Sequence, residues 1–533
     1  MKKYKILIII TAFAGILSSC GDDYLKLYPY TDVVAGAPAT LDVIQQNVTG
    51  CYQIMYFDCY ANFQWMPVNM FFDCLGDDLY TGGEHAGDQM HLQRAATYTA
   101  SPSQDAVTGW WSIFFAGLKR CNGALNAIEN ATSGTDEQLA ALKAEVLTLR
   151  AYYVHWLWKA YGNIPYFEDT WTDEPFVAEQ YSFADIYPKL IADLDAAINT
   201  PDAEFPMSVK TADRGRVHKA MAMMTKARIV MFFKDQTRYA EVLADMKTII
   251  NDGAYSLVKT ATSSNFTGLL GSNSAAASPS TTNPFEWIFL RDGQFSSESI
   301  FEVNNVPEGK SWGNAWAGYG NYTPRFTAVR DQPSDRTFQT GWGFCPVRPE
   351  AYAIFDDDDY RKAATVSEWG TGSGYQNTGL WLRKQGARWG YNIGTRGDRD
   401  LNFKNNKRIY RVAEAYLNAA ELEFYAGNTA GAQTYLDAIR ERAYGRSNPI
   451  PATLNNIKLE RRRELFSEGL RFWDLLRWGT DENDRPLSEV LSTNNSYQTR
   501  TWSDNKKFLP IPQDEIERTT GTQYELEQNQ GYN

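Results

Sequence analysis

Two helical hairpins built on the same plan constrain this chain more than any other feature. From His218 to Gly253 the sequence HKAMAMMTKARIVMFFKDQTRYAEVLADMKTIINDG sets Ala220, Met224, Ala227 and Met231 on one stripe of helical period. It breaks at Lys234 to Thr237 and resumes with Val242, Met246 and Ile249 or Ile250. The plan recurs from Arg411 to Gly445, RVAEAYLNAAELEFYAGNTAGAQTYLDAIRERAYG, with Gly427 and Asn428 at the turn and Ala415, Ala419, Leu422, Leu436 and Ile439 along the seam. Each unit is close to the ~34 residues of a tetratricopeptide repeat, and alanine at the seam lets paired helices approach closely. Further helices are expected at roughly 41–57, 104–130, 136–161, 182–199 and 454–478. The expected fold class is mostly α, with tetratricopeptide-like stacked helix pairs, a large irregular loop-rich region and little β.

The irregular region lies between Tyr255 and Lys404, where the helical period disappears and Gly, Ser, Asn and Trp become frequent, as in SWGNAWAGYGNYTPRF, GWGFCPVRPEAY and LWLRKQGARWGYNIG. A disordered linker would lack aromatics, because disorder follows from too little apolar surface to bury. The chain as a whole is 14% aromatic, with 16 Trp and 31 Tyr, and this region is rich in them. Long irregular segments on a rigid scaffold are where binding residues usually sit. The expected organisation is an N-terminal helical part (41–254), an irregular aromatic-rich ligand-binding region (255–405) and a C-terminal helical part (406–533).

Ahead of these parts, Lys2, Lys3 and Lys5 lead into an apolar run from Ile6 to Leu17, shorter than the ~20 residues of a spanning helix, so residues 1–19 read as a signal peptide. Leu17, Ser18 and Ser19 before Cys20 resemble the lipobox of bacterial lipoproteins, in which the cysteine is acylated and becomes the first mature residue. On that reading Cys20 attaches lipid and residues 20–40 form a lipidated tether; the alternative is an ordinary secretory peptide cut near the serines. Removing residues 1–19 takes away three lysines and no acids, so 52 Lys+Arg fall to 49 against 64 Asp+Glu, a charge of about −15. A surface that acidic argues against nucleic acid, whose phosphates need a basic partner. Cys51, Cys59, Cys74, Cys121 and Cys345 are odd in number and hold no close C-x-x-C pair, which disfavours a zinc site and leaves open a pair among the first three.

Constellations that carry chemistry are scarce. There are four histidines, His85, His91, His155 and His218, and no H-E-x-x-H; His155 and His218 fall within helical patterns and are expected to pack. GTGSG at Gly370 to Gly374 is neither a dinucleotide nor a nucleophile-elbow motif and reads as a turn. FDDDDYR at Phe355 to Arg361 crowds four carboxylates without the alternating spacing and central glycine of a calcium loop, so calcium is unsupported and no metal or cofactor is expected. No feature picks out a carboxylate pair for glycoside hydrolysis.

Near the C-terminus, IKLERRRELFSEGLRFWDLLRWG from Ile457 to Gly479 carries an apolar stripe of Leu465, Phe466, Leu470, Trp473 and Leu476, with Asp474 in reach of Arg471 and Arg477. This segment resembles the signature helix of the SusD/RagB family of outer-membrane nutrient-binding lipoproteins. CGDDYL after the lipobox, LRAYYVHWLWKAYGNIPYF at Leu149 to Phe167, YRVAEAYLNAAE at Tyr410 to Glu421, LDAIRERA at Leu436 to Ala443 and FLPIPQDEI at Phe508 to Ile516 agree with it in the expected order. The tail departs from the family pattern in Gln530, where proline is usual, and in lacking the asparagine expected after IPQDEI. The resemblance implies a cell-surface lid on a SusC-like TonB-dependent outer-membrane transporter. Such a lid captures an oligosaccharide and passes it to the pore without breaking a bond. It also gives Asp22 and Asp23 a role as a surface-export signal following the lipidated Cys20.

Three functions follow, in order of preference. The first is glycan capture: a pyranose face stacked on an aromatic ring removes roughly 60 Å² from water, worth about 1.5 kcal/mol, and a few such platforms give weak, reversible binding suited to delivery. The second is a RagB-like oligopeptide-binding lid for the same kind of transporter, and the third a helical glycoside hydrolase. By region, the resemblance points to Tyr98, ahead of the helix starting near Thr108, and to Trp287, Trp312, Trp316 and Tyr319, with Trp381 and Trp389 as alternates. Within SWGNAWAGYGNY, the glycines and Ala317 leave the rings unshielded, Asn314 and Asn321 can bond sugar hydroxyls, and Tyr322 lies outside any helical period that would bury it.

Overall fold

Thr135 sets the start of the longest helix: its hydroxyl accepts from the Gln138 N–H (3.3 Å) while the Gln138 side chain accepts from the Thr135 N–H (3.0 Å). In a computed structural model, residues 36–57, 59–60, 64–65, 67–103, 108–168, 177–261, 283–313, 318–331, 337–370, 373–392, 394 and 396–532 are described. Among the described residues, the helices of eight or more residues in the N-terminal part are α1 (Leu41–Gln53), α2 (Val68–Leu75), α3 (Thr108–Glu129), α4 (Asp136–Tyr161), α5 (Phe183–Asn199), α6 (Lys219–Phe233) and α7 (Tyr239–Asn251). Those of the same length after the irregular region are α8 (Val412–Tyr425), α9 (Thr429–Tyr444), α10 (Leu454–Glu464) and α11 (Arg471–Trp478).

The helices stack in sequence, α3 along α4, α4 on α5, α5 on α6, α6 on α7, and α8 on both α7 and α9. The expected seams are buried in both hairpins, with Ile249 rather than Ile250 in the core. Gly117 explains the closeness of α3 and α4, since a Cβ there would lie 2.6 Å from Cδ2 of Tyr153. The tail returns to the end of α4, where Leu509 N–H donates to Ala160 O (2.7 Å) and Asn529 Nδ2 to Tyr161 O (2.8 Å).

One expected helix is two. The 454–478 segment breaks between α10 and α11, with Ser467 at φ +60° and Gly469 at φ +80°. Within α11 the expected pair is replaced: Arg471 Nε pairs with Asp77 (2.7 Å), and Asp474 takes Arg461 (2.7 Å) and Arg477 (2.8 Å). Leu476 is half-buried, and Leu475 takes the core position beside it.

The middle region shares the scaffold's core, through Tyr322, Phe326, Phe344 and Val347. Its short strands are β1 (Ser299–Val303), β2 (Val366–Glu368), β3 (Leu380–Leu382) and β4 (Lys407–Arg411). β1 pairs antiparallel with β4, which runs straight into α8, and β2 pairs with β3. Buried ion pairs join the region to the C-terminal helices: Glu298 meets Arg411 (2.6 Å) and Arg442 (3.0 Å), Arg361 meets Glu460 (2.6 Å) and Glu464 (3.2 Å), and Lys384 meets Glu468 (2.6 Å). No helix among the described residues is long and apolar enough to cross a membrane.

Candidate functional site

The described stretches 305–313 and 318–322 are held by backbone bonds and by one carboxylate. Val306 N–H donates to Tyr319 O (3.2 Å), Asp398 N–H to Lys310 O (2.9 Å), and Trp312 N–H to Oδ2 of Asp398 (2.8 Å). Gly318 is required here, because it sits at φ +96° and a Cβ would come within 2.4 Å of the Gly309 backbone. The glycine therefore serves a close backbone approach, beyond merely leaving rings unshielded.

On this frame two aromatic rings face solvent, Trp312 at 44% and Tyr319 at 49% exposure. The Trp312 ring centre lies 5.9 Å from that of half-buried Trp342 at a 40° tilt. Trp342 is rooted in the core beside Tyr322 (6.0 Å) and Phe326 (6.3 Å). Tyr319 meets Tyr56 edge-on at 5.2 Å, and the Tyr56 hydroxyl donates to Asn304 O (3.1 Å). Charged residues adjoin this loop: Arg396 pairs with Glu308 (2.9 Å), whose carbonyl accepts from Tyr319 N–H (3.3 Å), and Arg330 pairs with Glu84 (3.1 Å). Arg330 also donates to Trp342 O (3.3 Å). Such an arrangement offers apolar ring faces edged by hydrogen-bonding groups, suited to a hydroxylated ligand with apolar C–H faces.

Other expected site residues lie elsewhere. Tyr98 is buried, its hydroxyl donating to Leu75 O (2.6 Å) and its ring edge-on to Trp502, and burial pushes its pKa up to about 12. Trp381 is 1% exposed in β3, opposite Ser367. Both are packing residues, because each ring is enclosed by neighbouring elements. Trp287 is half-buried against Phe285, Ile288 and Phe289. Asn321 is buried, donating to Asn405 O (2.9 Å) and accepting from Thr323 N–H (2.9 Å), and Tyr322 is fully buried. Trp389 is 39% exposed. Asn314 and Trp316, like Cys20, Asp22 and Asp23, lie outside the described residues.

Sequence reading missed Trp342 and Tyr56. Trp342 carried a usable signal, standing between Gly341 and Gly343 as Trp312 stands beside Gly313. A cleft of about 200 Å³ opens beside Tyr56, lined by Tyr52, Arg214, Arg216, Phe301 and Asn304. An interior cavity of about 70 Å³, lined by Trp110, Phe114, Trp156, Asn321 and Asn405, includes none of the exposed rings.

The acidic run, His155 and His218 have the following partners and surroundings. Of the four aspartates in FDDDDYR, Asp356 pairs with Arg463 (3.2 Å), Asp357 with Lys362 (2.5 Å), Asp358 with Arg446 and Asp359 with Arg361 (2.7 Å). No cluster of three or more metal-ligating side chains occurs among the described residues. His155 and His218 are buried, and burial holds His218 down to about 4. Cys51, Cys74, Cys121 and Cys345 are buried and unbonded in the structure, with the Cys74 and Cys345 sulfurs side by side at 3.6 Å; the Cys59 side chain lies outside what is described.

Comparison with known proteins agrees with this architecture. Residues 366–532 match the profile of the SusD family, and residues 23–224 match a SusD-like profile described as starch-binding associating with outer membrane. Surface glycan-binding protein A from Bacteroides fluxus is 40% identical, over 93% of this chain and 100% of that one, with a TM-score of 0.82. Surface glycan-binding protein A from Bacteroides thetaiotaomicron, solved in complex with laminarihexaose, is 32% identical over 92% of this chain and 100% of its own, with a TM-score of 0.80. SusD-like protein P25 from Formosa agariphila is 23% identical over 77% of each chain. With the stacked helices, the shared core of the middle region and these full-length likenesses together, the chain belongs to the SusD family.

Proposed function

We propose that this protein is a non-catalytic, cell-surface glycan-binding lipoprotein that captures an oligosaccharide and delivers it to a SusC-like TonB-dependent transporter in the outer membrane. The observation that carries the reading is the exposed Trp312 ring, braced by Trp342 on a loop fixed from behind. A ring held this way loses little freedom when a sugar stacks on it, so most of the roughly 1.5 kcal/mol per platform is kept as affinity. The laminarihexaose complex of a 32% identical relative makes β-linked gluco-oligosaccharides the first ligands to test. Lipid on Cys20 would hold the protein at the membrane, with Asp22 and Asp23 directing it to the outer face. The organisation into helical parts flanking a ligand-binding region at 255–405 belongs to the same proposal.

Calorimetry with laminarihexaose, maltohexaose and a mixed peptide library tests the ligand class. Saturable micromolar to millimolar binding of an oligosaccharide is expected, with no new reducing ends on prolonged incubation. Binding of peptides with every sugar silent would replace the glycan reading with the peptide one. Affinity capture from mild detergent should recover a TonB-dependent barrel, and repeated recovery of this protein alone would count against the partner.

A further inference from the structure

Cys74 lies near the end of α2, and Cys345 lies 271 residues later in the strip that carries Trp342. Both side chains are fully buried, and their Sγ atoms are 3.6 Å apart. Backbone hydrogen bonds hold the strip against residues 79–82, the segment that follows α2 a few residues after Cys74. Tyr80 N–H donates to Pro346 O (2.9 Å), Cys345 N–H donates to Thr81 O (3.0 Å), and bridges join Leu79 to Val347 and Gly82 to Phe344. Cys345 itself sits at φ +62°, a left-handed conformation that is costly for a residue with a Cβ and persists only where its surroundings enforce it. In that conformation its sulfur meets Cys74.

We infer that Cys74 and Cys345 are a modification site, joined as a structural disulfide in the exported protein and tying the strip bearing Trp342 to the helical scaffold. The gap to close runs from 3.6 Å to the ~2.05 Å of an S–S bond, with the Cys345 strip already bonded to the backbone just beyond Cys74. Closure joins the two sulfurs and removes two protons and two electrons. The acceptor is the protein disulfide of a thiol oxidoreductase on the oxidising side of the cell envelope, which becomes a dithiol through a mixed-disulfide exchange. Burial pushes the Cys345 thiol far up, so thiolate is scarce once the core has formed and the bond forms while the chain folds. The consequence is a pre-organised face, because the backbone carrying Trp342 is then fixed covalently three residues away.

This inference rests on the cell-surface location proposed above and is independent of the ligand. The full chain is expressed with its own N-terminus in a Bacteroides host, and surface exposure is checked by added protease. The membranes are then denatured in iodoacetamide without reductant, digested and analysed by mass spectrometry. The expected result is a Cys74–Cys345 linked peptide, lighter than its two parts by two hydrogen masses and lost on reduction. In Cys74→Ala, Cys345 should become alkylated without reductant. Surface-exposed protein with both cysteines alkylated before reduction overturns the inference and leaves the location standing. Protein retained inside the cell with reduced thiols overturns both. Cys345 still blocked in Cys74→Ala overturns this pairing.

Discussion

At the scale of residues, Trp312 and Trp381 are the same side chain in the same glycine-rich region, and loss of each should be felt in a different measurement. Trp312→Ala should weaken oligosaccharide binding by roughly 1–3 kcal/mol with the melting temperature almost unchanged, because a ring this exposed contributes more area to the complex than to the fold. Trp381→Ala should cost about 3–5 kcal/mol of stability with little change in affinity per folded molecule, since its enclosed ring would leave a cavity. Calorimetry and thermal melts on both variants decide this; a collapsed melt in Trp312→Ala would show that ring to be packing. Glu464 is the sharpest case among the charges, meeting Arg361 (3.2 Å), Arg411 (3.0 Å) and Arg442, all fully buried. Glu464→Gln should cost on the order of 3–5 kcal/mol in urea denaturation, because three guanidinium groups lose a shared counter-charge in a place water cannot reach. These distinctions were only partly legible. Tyr319 is exposed and Tyr322 buried three residues later, and what separates them is the path of a loop fixed by contacts with Asp398 and Asn402, more than 70 positions away. Composition showed that rings were abundant in this stretch, while the distant contacts decide which of them reach solvent.

At the scale of elements, both hairpins were readable because a helix stripe is a local pattern, and its alanines and methionines are the residues the structure buries. The break between α10 and α11 was hidden for a related reason. Leu465, Phe466, Leu470 and Trp473 are buried on either side of it, so the apolar pattern reads through the turn as if the helix were continuous. The informative residue was Gly469, at φ +80° and so close to α2 that an added Cβ would lie 2.7 Å from Asn69 Cα. Gly469→Ala should therefore destabilise the protein by about 2 kcal/mol or more, combining an unfavourable backbone conformation with overlap against backbone that cannot swing aside. Urea unfolding gives the number, and a neutral result would mean that α2 yields at this crossing. The Asp474–Arg471 pair expected from i,i+3 spacing is absent because Arg471 reaches Asp77 and Glu482, acids brought to it from other segments.

At the scale of the whole molecule, the middle region and the helical scaffold act as one body because charge as well as apolar surface joins them, and that union sets how the protein responds to acid. Burial raises the carboxyls of Glu464, Glu468, Asp474 and Glu421, but the guanidinium groups around them outweigh it and hold all four below their ordinary range. A carboxylate depressed by folding contributes stability above its unfolded pKa and loses it as pH falls through the folded value. Those losses therefore begin near pH 4, where unfolded carboxyls start to bind protons. Other groups act at milder pH and oppose one another. Burial holds His155 down and His218 down to about 4, so the unfolded chain takes up protons first and stability falls as pH drops below about 6.5. Burial lifts Asp73, and Asp245 up to about 6, so the folded chain takes up protons first and stability rises across an overlapping window. The steep part of the curve is expected below about pH 4, where the depressed carboxylates all pull in one direction, while from pH 7 to about pH 5 the contributions oppose one another. Raising the salt should move the steep part little, because ion pairs this deeply buried are poorly screened. Urea denaturation from pH 7 to pH 3 at low and high salt tests both features. Stability retained at pH 3 would mean that the arginine network does not hold these carboxylates ionised, and a collapse already at pH 6 would assign the transition to the buried histidines.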